Sequence, residues 1–145
     1  MSEENVEVVR RGYEAINRGD LDGMVADFAP TFEYAASGAV PGTGGVYRGP
    51  EGLREFMGWF GEFSDARAEV NELIDAGAQV LVGITAWGRG KQSGVESGWH
   101  LWHLWTLRDG KIVRGEGFTA RDEVKPPGCG SRQMSEENGD QWKRR

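Results

Sequence analysis

The chain has 145 residues, 38% of them hydrophobic and 28% charged, which suits one soluble domain with a buried core. Its net charge of −6 argues against nucleic acid as a partner, because phosphate binding needs clustered Lys and Arg, and the basic run Lys143-Arg144-Arg145 only closes a polar tail. The single cysteine, Cys129, excludes an internal disulfide, and no Cys/His cluster has zinc spacing.

The opening stretch MSEENVEVVRR lacks the basic and apolar regions of a signal peptide. No segment approaches the roughly 20 apolar residues of a membrane span. A cytoplasmic location with no membrane partner is expected. Ser2 can cap a first helix, with Glu3 and Glu4 favourable at its positive end. Val6, Val9, Tyr13 and Ile16 give that helix one apolar face, and Gly19 can end it in a left-handed conformation. Asp20 can cap a second helix with Leu21, Met24, Val25 and Phe28 on one side, ended by Pro30. Thr31 to Tyr34 reads as a short strand, and the Gly-rich Ala35 to Gly49 as a loop. Pro50 starts a third helix, Glu51 to Phe63, with Leu53, Phe56, Met57 and Phe60 inward and Trp59 beside them.

The rest reads as sheet. Ala66 to Ile74 alternates weakly, and Asp75-Ala76-Gly77 turns the chain. Gln79 to Trp87 is nearly continuous apolar, which predicts cover on both faces. Gly88 to Gly94 (GRGKQSG) is a connection; it lacks the strand-to-helix setting of a phosphate loop. Val95 to Arg121 reads as two long strands joined at Asp109-Gly110, a pair suited to a two-residue hairpin turn. The hairpin holds both histidines and three of the six tryptophans. From residue 124 to 145 the pattern is polar and Pro-broken, which predicts a disordered tail after one domain, residues 1–123. MSEEN occurs at both Met1 and Met134, too short an echo to be a structural repeat.

The strings ENVEVVRRGYEAINRGDLDGMVADFAP, YRGPEGLREFM and LWTLRDGKIVR, in this order, resemble the SnoaL-like group of the nuclear transport factor 2-like superfamily, which includes ketosteroid isomerases. The resemblance covers about residues 4–123 and implies an α+β fold. This is the cystatin-like α+β barrel, a cone-shaped curved antiparallel sheet packed against three N-terminal helices. It implies a deep pocket and commonly a homodimer. The superfamily hosts isomerases, polyketide cyclases, hydrolases, dehydratases and binders, so the fold does not fix the function. Aligned on Arg18 to Gly23, the isomerase's tyrosine donor falls at Gly12, its aspartate base near Tyr34 and its protonated aspartate at Trp102. The cyclase's acid/base aspartate falls near Gly117. None of these groups is present.

Counting outward from Asp109-Gly110 pairs Trp105 with Arg114, His103 with Glu116 and Leu101 with Phe118 on one face. The other face pairs Leu104 with Gly115, Trp102 with Gly117 and His100 with Thr119. Glycines opposite large residues leave room for a ligand, so this second face is assigned to the interior. His100 and Trp102 then line the cavity, with Tyr13, Tyr34 and Met57 as further ligand-binding candidates. His100 is the candidate catalytic acid or base. The first face, with Trp99, Leu101, His103, Trp105 and Phe118, becomes a convex apolar surface suited to a homodimer. Trp105 over Arg114 suggests a cation–π contact. A β-bulge near Gly115 to Gly117 would instead turn Glu116 inward and make His103 and Glu116 an acid/base pair. In a strand His100 and His103 point to opposite faces, so no metal site is expected, and no organic cofactor is implied. Trp59 and Trp87 read as packing residues.

Two functions are compatible with these residues. The missing carboxylates favour a non-catalytic binding or dimerisation module that holds a small apolar molecule in the conical pocket. The alternative is a cofactor-independent isomerase, polyketide cyclase or hydratase with a pocket histidine as acid/base.

Overall fold

A 16-residue helix, α1 (Ser2–Asn17), lies across a six-stranded sheet in the computed structural model, which describes residues 2–37, 44–58 and 63–120. Trp59, Phe60, Cys129 and the tail expected to be disordered lie outside the described residues. Its apolar stripe drives α1 onto the sheet: Val8, Val9, Tyr13 and Ala15 are buried. Two asparagines fix its position. Asn5 Nδ2 donates to Gly77 O at 2.9 Å. Asn17 donates to Ala68 O at 2.9 Å and accepts from Ala68 N at 2.7 Å. One side-chain amide thus satisfies both backbone groups of a residue on the outermost strand.

Gly19, at φ 76°, ends the α1 region, and Asp20 caps α2 (Leu21–Val25) by accepting from Gly23 N at 2.9 Å. The helix stops earlier than its pattern predicted. Phe28 to Pro30 already belong to β1 (Phe28–Ala36), a strand longer than Thr31 to Tyr34. Pro30 is tolerated because pairing with the neighbouring strand breaks between Phe28 and Glu33, where no ladder N–H is needed. The expected loop from Ala35 to Gly49 contains β2 (Gly45–Arg48), antiparallel to β1. Pro50 opens α3 (Gly49–Phe56), which ends at a Met57 cap instead of running to Phe63. Met57 and Gly58 follow in a tighter 3₁₀ turn, and Phe63 begins β3 (Phe63–Ala76). β4 (Gln79–Gly90), β5 (Glu96–Arg108) and β6 (Lys111–Phe118) complete the sheet. The Gly88 to Gly94 connection is shorter than expected at its first end, since β4 runs into it as far as Gly90.

The strand order is β2-β1-β6-β5-β4-β3, with β1 and β6 parallel and every other pair antiparallel. This is the expected α+β architecture, with helices on the concave side of a curved sheet. β4 is covered on both faces: Val80, Val82, Ile84 and Ala86 pack toward the helices, and Leu81 and Thr85 are buried on the other side.

The hairpin turn is as expected, with Asp109 at φ 53° and Gly110 at φ 77°, and Arg108 opposite Lys111. The register then slips. Leu107 pairs with Ile112, but Thr106 pairs with Arg114, leaving Val113 as an extra residue. This bulge lies closer to the turn than Gly115 to Gly117. It re-pairs everything beyond: Trp105 opposite Gly115, Leu104 opposite Glu116, His103 opposite Gly117 and Trp102 opposite Phe118. The glycine-rich face of β6 still marks the interior, but the β5 residues sharing it are the odd-numbered ones.

Candidate ligand pocket

Four residues of α1 (Val9, Gly12, Tyr13 and Ile16) form one wall of a cavity of about 50 Å³. Met24, Leu53, Phe56 and Met57 close it from the other helical segments, and Phe28, Tyr34, His103, Trp105 and Ile112 from the sheet. Among the described residues the lining is apolar except for Tyr13, Tyr34, His103 and the Trp105 indole, and it includes no carboxylate.

Glycines admit the rings. A Cβ at Gly115 would fall on the Trp105 ring and 2.9 Å from Tyr34 Cδ1. One at Gly117 would lie 2.8 Å from the Tyr34 hydroxyl. Tyr34 therefore lies along β6, stacked on Trp105 with centroids 5.8 Å apart and planes at 22°. Its edge meets His103 at 5.9 Å and 75°. Burial, then the neighbouring Tyr47 hydroxyl, raise the Tyr34 pKa well above the ordinary tyrosine value, so it is neutral.

A short polar chain crosses this apolar site. The Trp105 indole N–H donates to the Tyr13 hydroxyl at 2.9 Å, and that hydroxyl lies 2.6 Å from His103 Nδ1. Tyr13 is buried, and desolvation holds its pKa well above the usual value, opposed by the Trp105 hydrogen bond. His103 is half-buried and lines the cavity; its apolar surroundings push the imidazole down to about 4, so it is neutral at pH 7. Among the described residues the ring makes no second hydrogen bond, which leaves Nε2 without a partner.

The sequence candidates separate accordingly. Tyr13, Tyr34 and Met57 line the cavity. His100 and Trp102 do not, which reverses the expected parity of β5. His100 is exposed, with Nδ1 3.1 Å from Thr85 Oγ1, and Thr85 donates to Asn71 Oδ1 at 2.8 Å. Trp102 packs over Gly83 with Leu104, Leu81, Ile74 and Phe118 on the convex face. Glu116 stays convex, 3.0 Å from Arg114, so it forms no pair with His103. Arg114 also approaches Glu33 at 3.7 Å and lies opposite Thr106, so Trp105 has no cation–π contact with it. Leu101, His103 and Trp105 belong to the inner face, with Trp99 packed against the same core. Of the residues expected on the convex surface, Phe118 lies there. Trp87 is a packing residue, its ring over Gly98 and 5.5 Å from the Arg67 guanidinium. Among the described residues no three His, Cys, Asp or Glu side chains gather as a metal site, and no helix is long and apolar enough to cross a membrane.

Comparison with known proteins agrees with this architecture. TerC, in a structure co-crystallised with polyporic acid, is 26% identical with a TM-score of 0.71, covering 81% of this chain and 92% of TerC. A nuclear transport factor 2-like protein of unknown function from Burkholderia pseudomallei is 25% identical (TM-score 0.71), over 81% of this chain and 91% of that one. Another such protein, from Burkholderia thailandensis, is 28% identical (TM-score 0.68), over 79% and 89%. None of the curated protein sequences compared matches the chain. A family model described as a SnoaL-like domain matches residues 9–115, more than half of the chain, and the protein therefore belongs to the SnoaL-like family.

Proposed function

We propose that this chain binds a small, largely apolar organic molecule between α1 and the concave face of the sheet, with His103 as the polar group that meets it. One observation carries this reading: a neutral imidazole lines an apolar cavity with one nitrogen held by Tyr13 and the other unpartnered among the described residues. A polar atom that faces an apolar cavity without a partner is unfavourable unless a ligand or water supplies one. TerC, co-crystallised with polyporic acid, supports a small organic ligand for this fold.

Binding without chemistry fits the lining better than catalysis. Proton abstraction at neutral pH works best with a base whose pKa lies near the working pH, and His103 is held near 4. Among the described residues no carboxylate lines the cavity to take its place. Cofactor-independent isomerase, cyclase or hydratase chemistry is the second reading, favoured by the unpartnered His103 nitrogen. It needs a substrate that draws a proton through the Tyr13–His103 contact.

A cavity of about 50 Å³ holds only a few waters, whereas small-molecule sites span roughly 300–1,000 Å³. A ligand must therefore displace side chains, and Met24 and Met57, unbranched and adaptable, are suited to give way. With methyl-labelled methionine, an aromatic ketone such as 2-acetylnaphthalene should shift the Met24 and Met57 signals saturably. Unmoved signals up to the probe's solubility would remove the binding reading. Turnover that disappears in His103→Gln while binding survives would favour the enzyme instead.

Pairing of two copies through the convex face is also proposed, now through Trp102 and Phe118 in place of Trp99, Leu101, His103 and Trp105. Trp102→Glu should turn a sedimenting dimer into a monomer. A wild-type chain that sediments as a monomer at micromolar concentration would dismiss the pairing.

A further inference from the structure

We infer that Trp105 sets the hydrogen-bonding polarity of the pocket: by donating to the Tyr13 oxygen it aims the Tyr13 O–H at His103 Nδ1, so that His103 presents Nε2–H and the site takes its ligand through an acceptor oxygen. The inference rests on the reading that this cavity binds a ligand, and adds which atom of the ligand the protein meets.

The indole N–H is a donor only, so its 2.9 Å contact uses the Tyr13 oxygen as acceptor. The hydroxyl has a single proton left to place. Among the described residues its other hydrogen-bond neighbour is His103 Nδ1, 2.6 Å away. That distance lies within the range of O–H donors, and is shorter than the roughly 2.7–3.2 Å of N–H···O bonds. The reverse direction, Nδ1–H toward oxygen, would make Tyr13 accept twice and strand its own proton among Val9, Ile16, Leu53 and other apolar lining groups. A stranded buried donor is strongly disfavoured. With Nδ1 as acceptor and the ring neutral, the remaining proton sits on Nε2.

Trp105 is held for this role. Its ring lies over Gly115, edge-on to Phe28 at 6.0 Å and stacked with Tyr34 at 5.8 Å, so the N–H has little freedom to turn away. A positioned neutral N–H favours a carbonyl, quinone or ether oxygen. It offers nothing to a ligand group that can only donate. The class that fits is an apolar ring system carrying an acceptor oxygen.

The ligand-free full-length protein tests the first half. The chain has two histidines, so long-range nitrogen–proton correlation spectra resolve them readily. At pH 7 the His103 ring should show a protonated Nε2 and an unprotonated Nδ1. In Trp105→Phe the Tyr13 oxygen is released and the Nδ1–H form should grow to at least a tenth of the population. In Tyr13→Phe the fixed preference should collapse toward fast averaging, at whichever stability the variant retains. A wild-type ring protonated on Nδ1 overturns the inference, and needs no variant to fold. The second half compares 2-acetylnaphthalene with 2-ethylnaphthalene, which lacks the acceptor. The ketone should bind at least fivefold more tightly and move the Nε2 signal. Equal binding overturns the acceptor preference. Binding of neither overturns the ligand reading beneath it, and the ring spectrum keeps the two failures apart.

Discussion

His100 and His103 stand three residues apart on one strand and have little else in common. His103 faces the helices, bonded to Tyr13, its pKa held near 4 by apolar surroundings. His100 faces outward, exposed, leaning on Thr85. Alternation along β5 guarantees that the two rings point opposite ways, but it does not say which points in. That choice is made on the neighbouring strand, by the extra residue Val113. One bulge thus decides which histidine is a chemical group in a cavity and which is a surface side chain.

The comparison breaks most severely at the glycines that receive the aromatic rings. Gly115→Ala places a methyl against the buried Trp105 and Tyr34, which stack on each other. Overpacking of that kind should cost about 3 kcal/mol in urea or guanidinium unfolding. Gly83→Ala meets a similar obstacle on the other face, the Trp102 ring at 2.6 Å. Trp102 is half-buried and so less tightly enclosed than Trp105, and about 1 kcal/mol is expected. Equal costs would show that the two faces are packed alike.

Acid sharpens the contrast next. The folded-state pKa of His103, about 4, lies below the ordinary 6.5, so folding favours its neutral form. Its contribution is complete above pH 6.5 and is lost as the pH falls toward 4, when the unfolded chain takes up a proton that the folded chain refuses. The loss amounts to roughly 3 kcal/mol across that window. The stability difference between wild type and His103→Phe, followed by denaturant titration from pH 7 to 4, should carry this slope. The carboxylates cancel in the subtraction. A difference flat with pH would mean that His103 titrates normally.

Tyr13→Phe comes third. It removes the oxygen that joins Trp105 to His103 and leaves an indole N–H and an imidazole nitrogen without their partner. A loss of about 2 kcal/mol is expected in chemical unfolding. A loss under 0.5 kcal/mol would indicate that water replaces the hydroxyl.

Much of this was legible in the residues. Helical spacing in α1, the Asp20 cap, Pro50 and the Asp109-Gly110 turn all act locally, and the structure keeps each of them. The premise that glycines mark the inner face also holds at Gly115 and Gly117. What misled was the count between turn and glycines. A regular ladder puts the apolar pair Leu107–Ile112 on the same face as Trp105 opposite Arg114 and His103 opposite Glu116. Charges would then face the aromatic row. The sequence resolves that conflict only if one residue is skipped between Ile112 and Arg114, and Val113 is the one. That phase break was the readable signal. β2 and the Pro30 segment of β1 were less accessible, because pairing with distant partners makes them strands against weak local preference.

The smallest effect is expected at His100. The ring is exposed and makes one 3.1 Å contact with Thr85, whose hydroxyl keeps Asn71 as a partner when the ring is gone. His100→Ala should therefore change stability by no more than about 0.5 kcal/mol in chemical unfolding. The value of this variant lies in its dependence on protein concentration. If two copies meet on the convex face, His100 is covered there, and its removal destabilises the dimer more at low micromolar than at high concentration. A concentration-independent, near-zero change would leave His100 as an ordinary surface side chain. The contrast with His103 would then be a property of the single folded chain, set by the bulge at Val113 and by no partner.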